Sequence, residues 1–166
     1  MTATTSQALT IGMLAPDFTL KCSPDNELVT LSSLRGQPVV LAFYPADWSG
    51  VCGEQLSLYN EILDEIEALG AKLFGVSVDS HHCHNAYAKS KNLEFGLLSD
   101  FHPKGAVSQA YDSYDPERGV SARNLFVIDA DGVIRWIHRS PGGVNPGAAG
   151  FLNALESLKA GQEPQP

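Results

Sequence analysis

The chemistry available to this 166-residue chain centres on three cysteines, Cys22, Cys52 and Cys83. Cys52 has the most informative surroundings. It follows Pro45-Ala46-Asp47-Trp48-Ser49-Gly50-Val51, which itself follows a β-branched and aromatic run and leads into a helical pattern. With Ser49 as N-cap, Cys52 takes the third position of that helix, where unpaired backbone N–H groups and the helix dipole favour an anion. A thiol so placed, with a cation nearby, can have its pKa lowered from ~8.5 to roughly 3.5–7.5 and then acts as a nucleophile at neutral pH. The competing reading is an ordinary buried cysteine, because a free cysteine also packs as a small hydrophobe.

Cys83 stands in Asp79-Ser80-His81-His82-Cys83-His84, which invites a metal reading. Adjacent ligands on a helix point in different directions and no second ligand pair at finger-like spacing exists, so no metal is expected. Cys22, before the turn Ser23-Pro24-Asp25-Asn26, is expected to be a bystander. Gly142-Gly143 and Gly147 lack the spacing of a phosphate loop, so no cofactor is expected.

The elements that must hold these residues follow from periodicity. Residues 38–44 (PVVLAFY) form a continuous apolar run, as expected of a central strand buried on both faces. Leu56, Tyr59, Ile62, Leu63, Ile66 and Leu69 recur at helical spacing, Glu54, Glu61, Asp64, Glu65 and Glu67 form the solvated face, and Gly70 ends the helix. A strand at 72–78, a helix capped by Asp79 or Ser80 and running to about Lys91, and a strand at 95–98 follow. Two strand–helix–strand units imply parallel neighbours. Strands at 124–129 and 133–138 flank Ala130-Asp131-Gly132 and predict an antiparallel hairpin. A last helix is expected from Asn145 as N-cap and Pro146 at the first position, burying Leu152, Leu155 and Leu158. Residues 1–11 are expected to be flexible, 12–160 to form one domain, and 161–166 to be a disordered tail.

Eleven basic residues against nineteen acidic ones leave a net charge of −8, which repels phosphate backbones and anionic lipid, so nucleic acid and membrane are poor partners. The N-terminal residues carry no secretory pattern and three cysteines make no disulfide framework, so a cytoplasmic location is expected.

Pro45, Ser49 and Cys52 stand as P-x-x-x-S-x-x-C after Phe43-Tyr44, which resembles the active-site loop of peroxiredoxins of the alkyl hydroperoxide reductase/thiol-specific antioxidant type. Ala15-Pro16-Asp17-Phe18-Thr19-Leu20, residues 31–37 (LSSLRGQ), Gly75-Val76-Ser77-Val78-Asp79 and Arg123 ahead of FVIDADGVIRW extend the resemblance over about residues 12–158. It implies an α/β, thioredoxin-like fold, a central mixed sheet with helices on both faces. It also implies a thiol-dependent peroxidase without metal, haem or flavin, reducing hydrogen peroxide and organic hydroperoxides through a sulfenic acid on Cys52.

In that scheme Arg123 supplies fixed donors to the sulfur and the leaving oxygen, with a strand-end salt bridge as its alternative reading. Ser49 both caps the helix and donates to the sulfur or peroxide, or only caps it. Pro45 shields the sulfur, or merely ends the strand. Gln55 is expected to contact the active-site loop, and Trp48 to pack beside the site. The common dimeric type resolves through a C-terminal cysteine, which this chain lacks. Cys83 resembles the within-subunit resolving cysteine of some bacterioferritin-comigratory-protein relatives and of thiol peroxidases. The alternatives are a one-cysteine enzyme recycled by an external thiol, and a redox sensor or relay on the same fold. Thioredoxin or a similar dithiol is the implied reductant, and a homodimer the implied assembly.

Overall fold

The computed structural model describes residues 7–166. The expected flexible N-terminus lies in part outside the described residues, at 1–6; beyond them, the backbone N–H of Leu9 donates to Asp112 at 2.6 Å and its carbonyl accepts from Arg139 at 3.2 Å.

Seven strands form one mixed sheet in the order β2-β1-β5-β4-β3-β8-β9. They are β1 (Thr19–Cys22), β2 (Glu27–Thr30), β3 (Val39–Phe43), β4 (Lys72–Ser77), β5 (Gly96–Ser99), β8 (Asn124–Ile128) and β9 (Ile134–Arg139); the short pair β6 (Tyr114–Asp115) and β7 (Val120–Ser121) stands apart. β3, β4 and β5 are parallel neighbours, and β8 and β9 form the expected antiparallel hairpin.

The pleat of β3 divides two cores. Val40, Ala42 and Tyr44 face one side, against α1 (Gly50–Glu61), α2 (Leu63–Ala68), α3 (His81–Lys91) and α5 (Ala149–Lys159). Val39, Leu41 and Phe43 face the other, with Phe74, Phe126, Tyr111 and Leu31. This second face is covered by the short α4 (Ala106–Ala110), a 3-10 turn at Leu31–Leu34 and the N-terminal segment. A strand buried on both faces must be apolar throughout, which is why residues 38–44 show no polar alternation.

The long helix expected up to Gly70 is two segments, broken at Ile62. The expected acidic residues of its outer face are all exposed. The last helix starts later than expected, at Ala149. Asn145 Oδ1 accepts from Gly147 N at 3.0 Å, and Gly147 has φ +67°, so Asn145 closes a turn that a helix cannot continue through. Leu155 is buried as expected, together with Phe151 and Ala154, while Leu152 and Leu158 are only partly covered. Residues 161–166 have no regular structure; Glu163 lies 3.2 Å from Arg135, and Pro164 is buried. No helix among the described residues is long and apolar enough to cross a membrane.

Candidate active site

Topology gathers the site where the central strand β3 ends and β8 begins. β8 runs antiparallel to β3 with Ala42 opposite Leu125, so Arg123, just before β8, comes level with Tyr44, where β3 gives way to the loop. Tyr44 N still pairs with Val76 of β4 at 3.0 Å. Pro45, buried, opens the loop, and Trp48 bends it with φ +67° before α1 begins at Gly50. A bulky residue in the left-handed region costs on the order of 1–3 kcal/mol and is held there only by its surroundings.

Cys52 occupies the first turn of α1 and is wholly buried. Ser49 is the N-cap residue, in extended conformation, but its side chain makes no capping bond. This corrects half of the expectation: the hydroxyl donates to Cys52 Sγ at 3.2 Å, while its oxygen accepts from no N–H of the first turn. Arg123 Nη1 donates to the same sulfur at 3.4 Å and to Gln55 Oε1 at 2.8 Å. Arg123 is 4% exposed, and among the described residues the ion pairs are His84–Asp47, Arg135–Asp129 and Arg135–Glu163, so no carboxylate compensates its guanidinium. The salt-bridge alternative for Arg123 is therefore absent. A buried cation demands an anionic or strongly accepting partner, and the sulfur is in reach.

Gln55 contacts the arginine rather than the loop. Its Nε2 donates to the Tyr59 hydroxyl at 3.1 Å, which donates onward to Gly147 O at 3.0 Å, so a chain of side chains on α1 fixes the guanidinium. Trp48 is 58% exposed and packs through the edge of Tyr87, ring centroids 5.0 Å apart.

A second network was not legible in the sequence. Tyr44 donates its hydroxyl to Asp47 Oδ1 at 2.6 Å, and Asp47 Oδ2 lies 2.7 Å from His84 Nδ1. His84 Nε2 faces the Leu98 carbonyl at 3.1 Å and must donate to it, so a further proton bridges Nδ1 and the carboxylate. Asp47 N donates to Asp79 Oδ2 at 2.9 Å. Burial, followed by the Asp47 charge, holds the Tyr44 hydroxyl well above its ordinary pKa, so it stays a donor. The network ties the Cys52 loop to α3 and to the end of β5.

Cys83 repeats the spacing of Cys52 with opposite surroundings. Ser80, like Ser49, stands three residues ahead, but its hydroxyl accepts from Cys83 N at 3.3 Å and caps the helix. Cys83 Sγ faces Asp79 Oδ1 at 3.9 Å. Burial and then the charges of Asp47 and Asp79 push this thiol up to about 11. Cys22 is also pushed up to about 11, chiefly by burial, and a side chain at Gly96 would collide with its sulfur, so it fills space. Asp47, Asp79 and Cys83 have ligand atoms within 4.8 Å of one another. Their oxygens are already engaged: Asp79 Oδ2 accepts from Ser77 Oγ at 2.6 Å as well as from Asp47 N.

The AhpC/TSA family profile matches residues 11–137 of the chain. The chain belongs to the AhpC/TSA family. It is 38% identical over 154 residues to alkyl hydroperoxide reductase E of Mycobacterium tuberculosis, covering 92% of this chain and 99% of that protein. It is 31% identical to alkyl hydroperoxide reductase C of Bacillus subtilis, covering 90% and 82%. Among solved structures, Mycobacterium tuberculosis AhpC superposes with a TM-score of 0.82 at 26% identity over 93% of this chain and 96% of that one. The reduced 2-Cys peroxiredoxin of Plasmodium vivax superposes at 0.83 and 26% identity, over 90% and 82%. This peroxiredoxin has the thioredoxin-like fold and is a thiol-dependent peroxidase, which takes a peroxide as substrate and a thiol as reductant.

Proposed function

We propose that Cys52 is the peroxidatic residue and that Ser49, Arg123 and Pro45 form its site. The observation that carries this is the fully buried sulfur receiving hydrogen bonds from Ser49 Oγ at 3.2 Å and Arg123 Nη1 at 3.4 Å. The Cys52 thiolate attacks the near oxygen of the peroxide in line with the O–O bond. The S–O bond forms as O–O breaks, Cys52 becomes a sulfenic acid, and the leaving oxygen departs as an alkoxide or hydroxide that takes a proton from water. Arg123 is aimed at the charge that develops on that oxygen, and Ser49 at the sulfur. Pro45, with no N–H, closes the loop side without offering a competing donor. Hydrogen peroxide and small organic hydroperoxides are the substrates we assign.

The sulfenic acid must then meet a second thiol. Cys83 can serve only if the Ser80-capped turn opens, because the two cysteines start separate helices. The acidic surroundings of Cys83 favour the other reading, direct reduction by an external thiol from thioredoxin or a similar dithiol protein. Replacing Cys83 by Ser separates them in steady-state turnover with such a reductant: unchanged turnover supports the external thiol, and lost turnover supports Cys83. We further propose that residues 12–160 act as one peroxidase domain, that it works in the cytosol, where free thiols persist, and that it pairs as a homodimer. The exposed apolar side chains of Trp48 and Phe101 are surface that such pairing would cover.

Stopped-flow mixing with peroxide tests the assignment. Fluorescence of Trp48, four residues from Cys52, is expected to change in the wild type and to stay constant in Cys52→Ser. A fast peroxide-dependent change surviving in Cys52→Ser would overturn it.

A further inference from the structure

Tyr87 sits on α3 in the cluster that also holds Cys52, wholly buried, and its hydroxyl has no hydrogen-bond partner among the described residues. A phenol buried in this way ordinarily finds an acceptor, and an orphaned one is destabilising. Two observations place Tyr87 against the first turn of α1 and the loop that precedes it. A Cβ built on Gly53, the residue after Cys52, would come within 3.3 Å of the Tyr87 oxygen, and the Tyr87 ring meets Trp48 edge-on in the loop before it. A cleft of about 320 Å³ is lined by Trp48, Ser49, Gly53, Tyr87 and Lys91, so Tyr87 and Ser49 border the same space above the first turn of α1.

We infer that Tyr87 is a hydrogen-bond donor reserved for the oxidised state, its O–H unpartnered in the reduced protein and donating to the oxygen that Cys52 gains when it becomes a sulfenic acid. The reduced sulfur already has two donors, Ser49 and Arg123. Oxidation adds an oxygen with its own lone pairs, extends the group beyond the sulfur, and creates an acceptor where the reduced protein has none. The hydroxyl keeps its proton at working pH and so is available to donate, since burial and then the charges of Asp47, Cys52 and Asp79 push it up to about 12. The arrangement favours the intact loop once the sulfur is oxidised. The inference rests on the peroxidase reading of Cys52.

Tyr87→Phe removes the hydroxyl and keeps the ring, and comparing it with Tyr87 in a Cys83→Ser background tests the assignment without disulfide formation. In the reduced state Tm should be unchanged or higher, because an orphaned polar atom is gone. In the state made by one equivalent of peroxide, Tm should fall relative to Tyr87, and dimedone should trap the sulfenic acid roughly fivefold faster, the ratio that one ordinary hydrogen bond sets. Equal Tm shifts in both states with unaltered trapping would overturn the role of Tyr87 while leaving Cys52 as the peroxidatic residue. Failure of the Tyr87 protein to form any dimedone adduct at Cys52 would overturn the peroxidase reading and this inference together.

Discussion

Ser49 and Ser80 each stand three residues ahead of a cysteine, and the electrostatics around the two sulfurs are opposed. At Cys52 a hydroxyl donates and a buried guanidinium faces the sulfur; at Cys83 the hydroxyl is spent on the backbone and carboxylates face the thiol. Replacing Arg123 by Met, which keeps the bulk and removes the donors, should lower kcat/KM for peroxide by about 10²–10³, the range for losing a donor aimed at developing negative charge. Competition kinetics against a peroxidase of known rate would measure it. Where Cys83 condenses with the sulfenic acid, its rate should rise about tenfold per pH unit up to about pH 11, since only the thiolate attacks and the thiol is held protonated to that point. Asp79→Asn removes one of the charges that raise it, so disulfide formation between pH 7 and 9, followed by free-thiol counting, should become faster. A slower reaction in that variant would contradict this reading of the carboxylate. The Cys52 motif was legible because proline, serine and cysteine lie within eight positions. The direction of the Ser49 hydroxyl was not, because capping and donation require the same residue type.

At the level of elements, the loop before α1 is held from α3. His84 and Tyr87, one turn apart, engage Asp47 and Trp48 respectively. Breaking a buried charged pair from one side typically costs about 3–5 kcal/mol, because the partner is left uncompensated. His84→Ala should therefore lose about that much in urea unfolding and slow the peroxide reaction. Gly75 in β4 is a second constraint: a Cβ there would lie 2.8 Å from Leu97 and 3.1 Å from Tyr44, so Gly75→Val should destabilise the chain by roughly 1–3 kcal/mol through overpacking. A Tm equal to the wild type would show that the strands have room to part. The central strands, the helical stretch before Gly70 and the β8–β9 hairpin follow from periodicity and turn chemistry, whereas the break of that stretch at Ile62 does not. The start of α5 did not, since Asn-Pro serves equally well as a helix entry and as a turn, and the left-handed Gly147 decides between them. α4 and β6–β7, of five and two residues, are too short to leave a periodic signal.

At the scale of the whole molecule, the site is a product of topology. Cys52 and Arg123 are 71 positions apart and Asp47 and His84 are 37 apart. They meet because the adjacent central strands β4, β3 and β8 end or begin on the same side of the sheet. Local pattern cannot specify such meetings, and for that reason the resemblance carried Arg123 while the Tyr44–Asp47–His84 network and Tyr59 went unseen. Tyrosines and a histidine on apolar faces have the same spacing whether they pack or relay hydrogen bonds. One mass measurement after a single equivalent of hydrogen peroxide at neutral pH, with peptides mapped, bears most directly on the central claim that one of three sulfurs meets the oxidant. The expected result is a gain of one oxygen at Cys52, or the loss of two hydrogens in a disulfide that includes Cys52. Oxidation of Cys83 or Cys22 with Cys52 unmodified would contradict it.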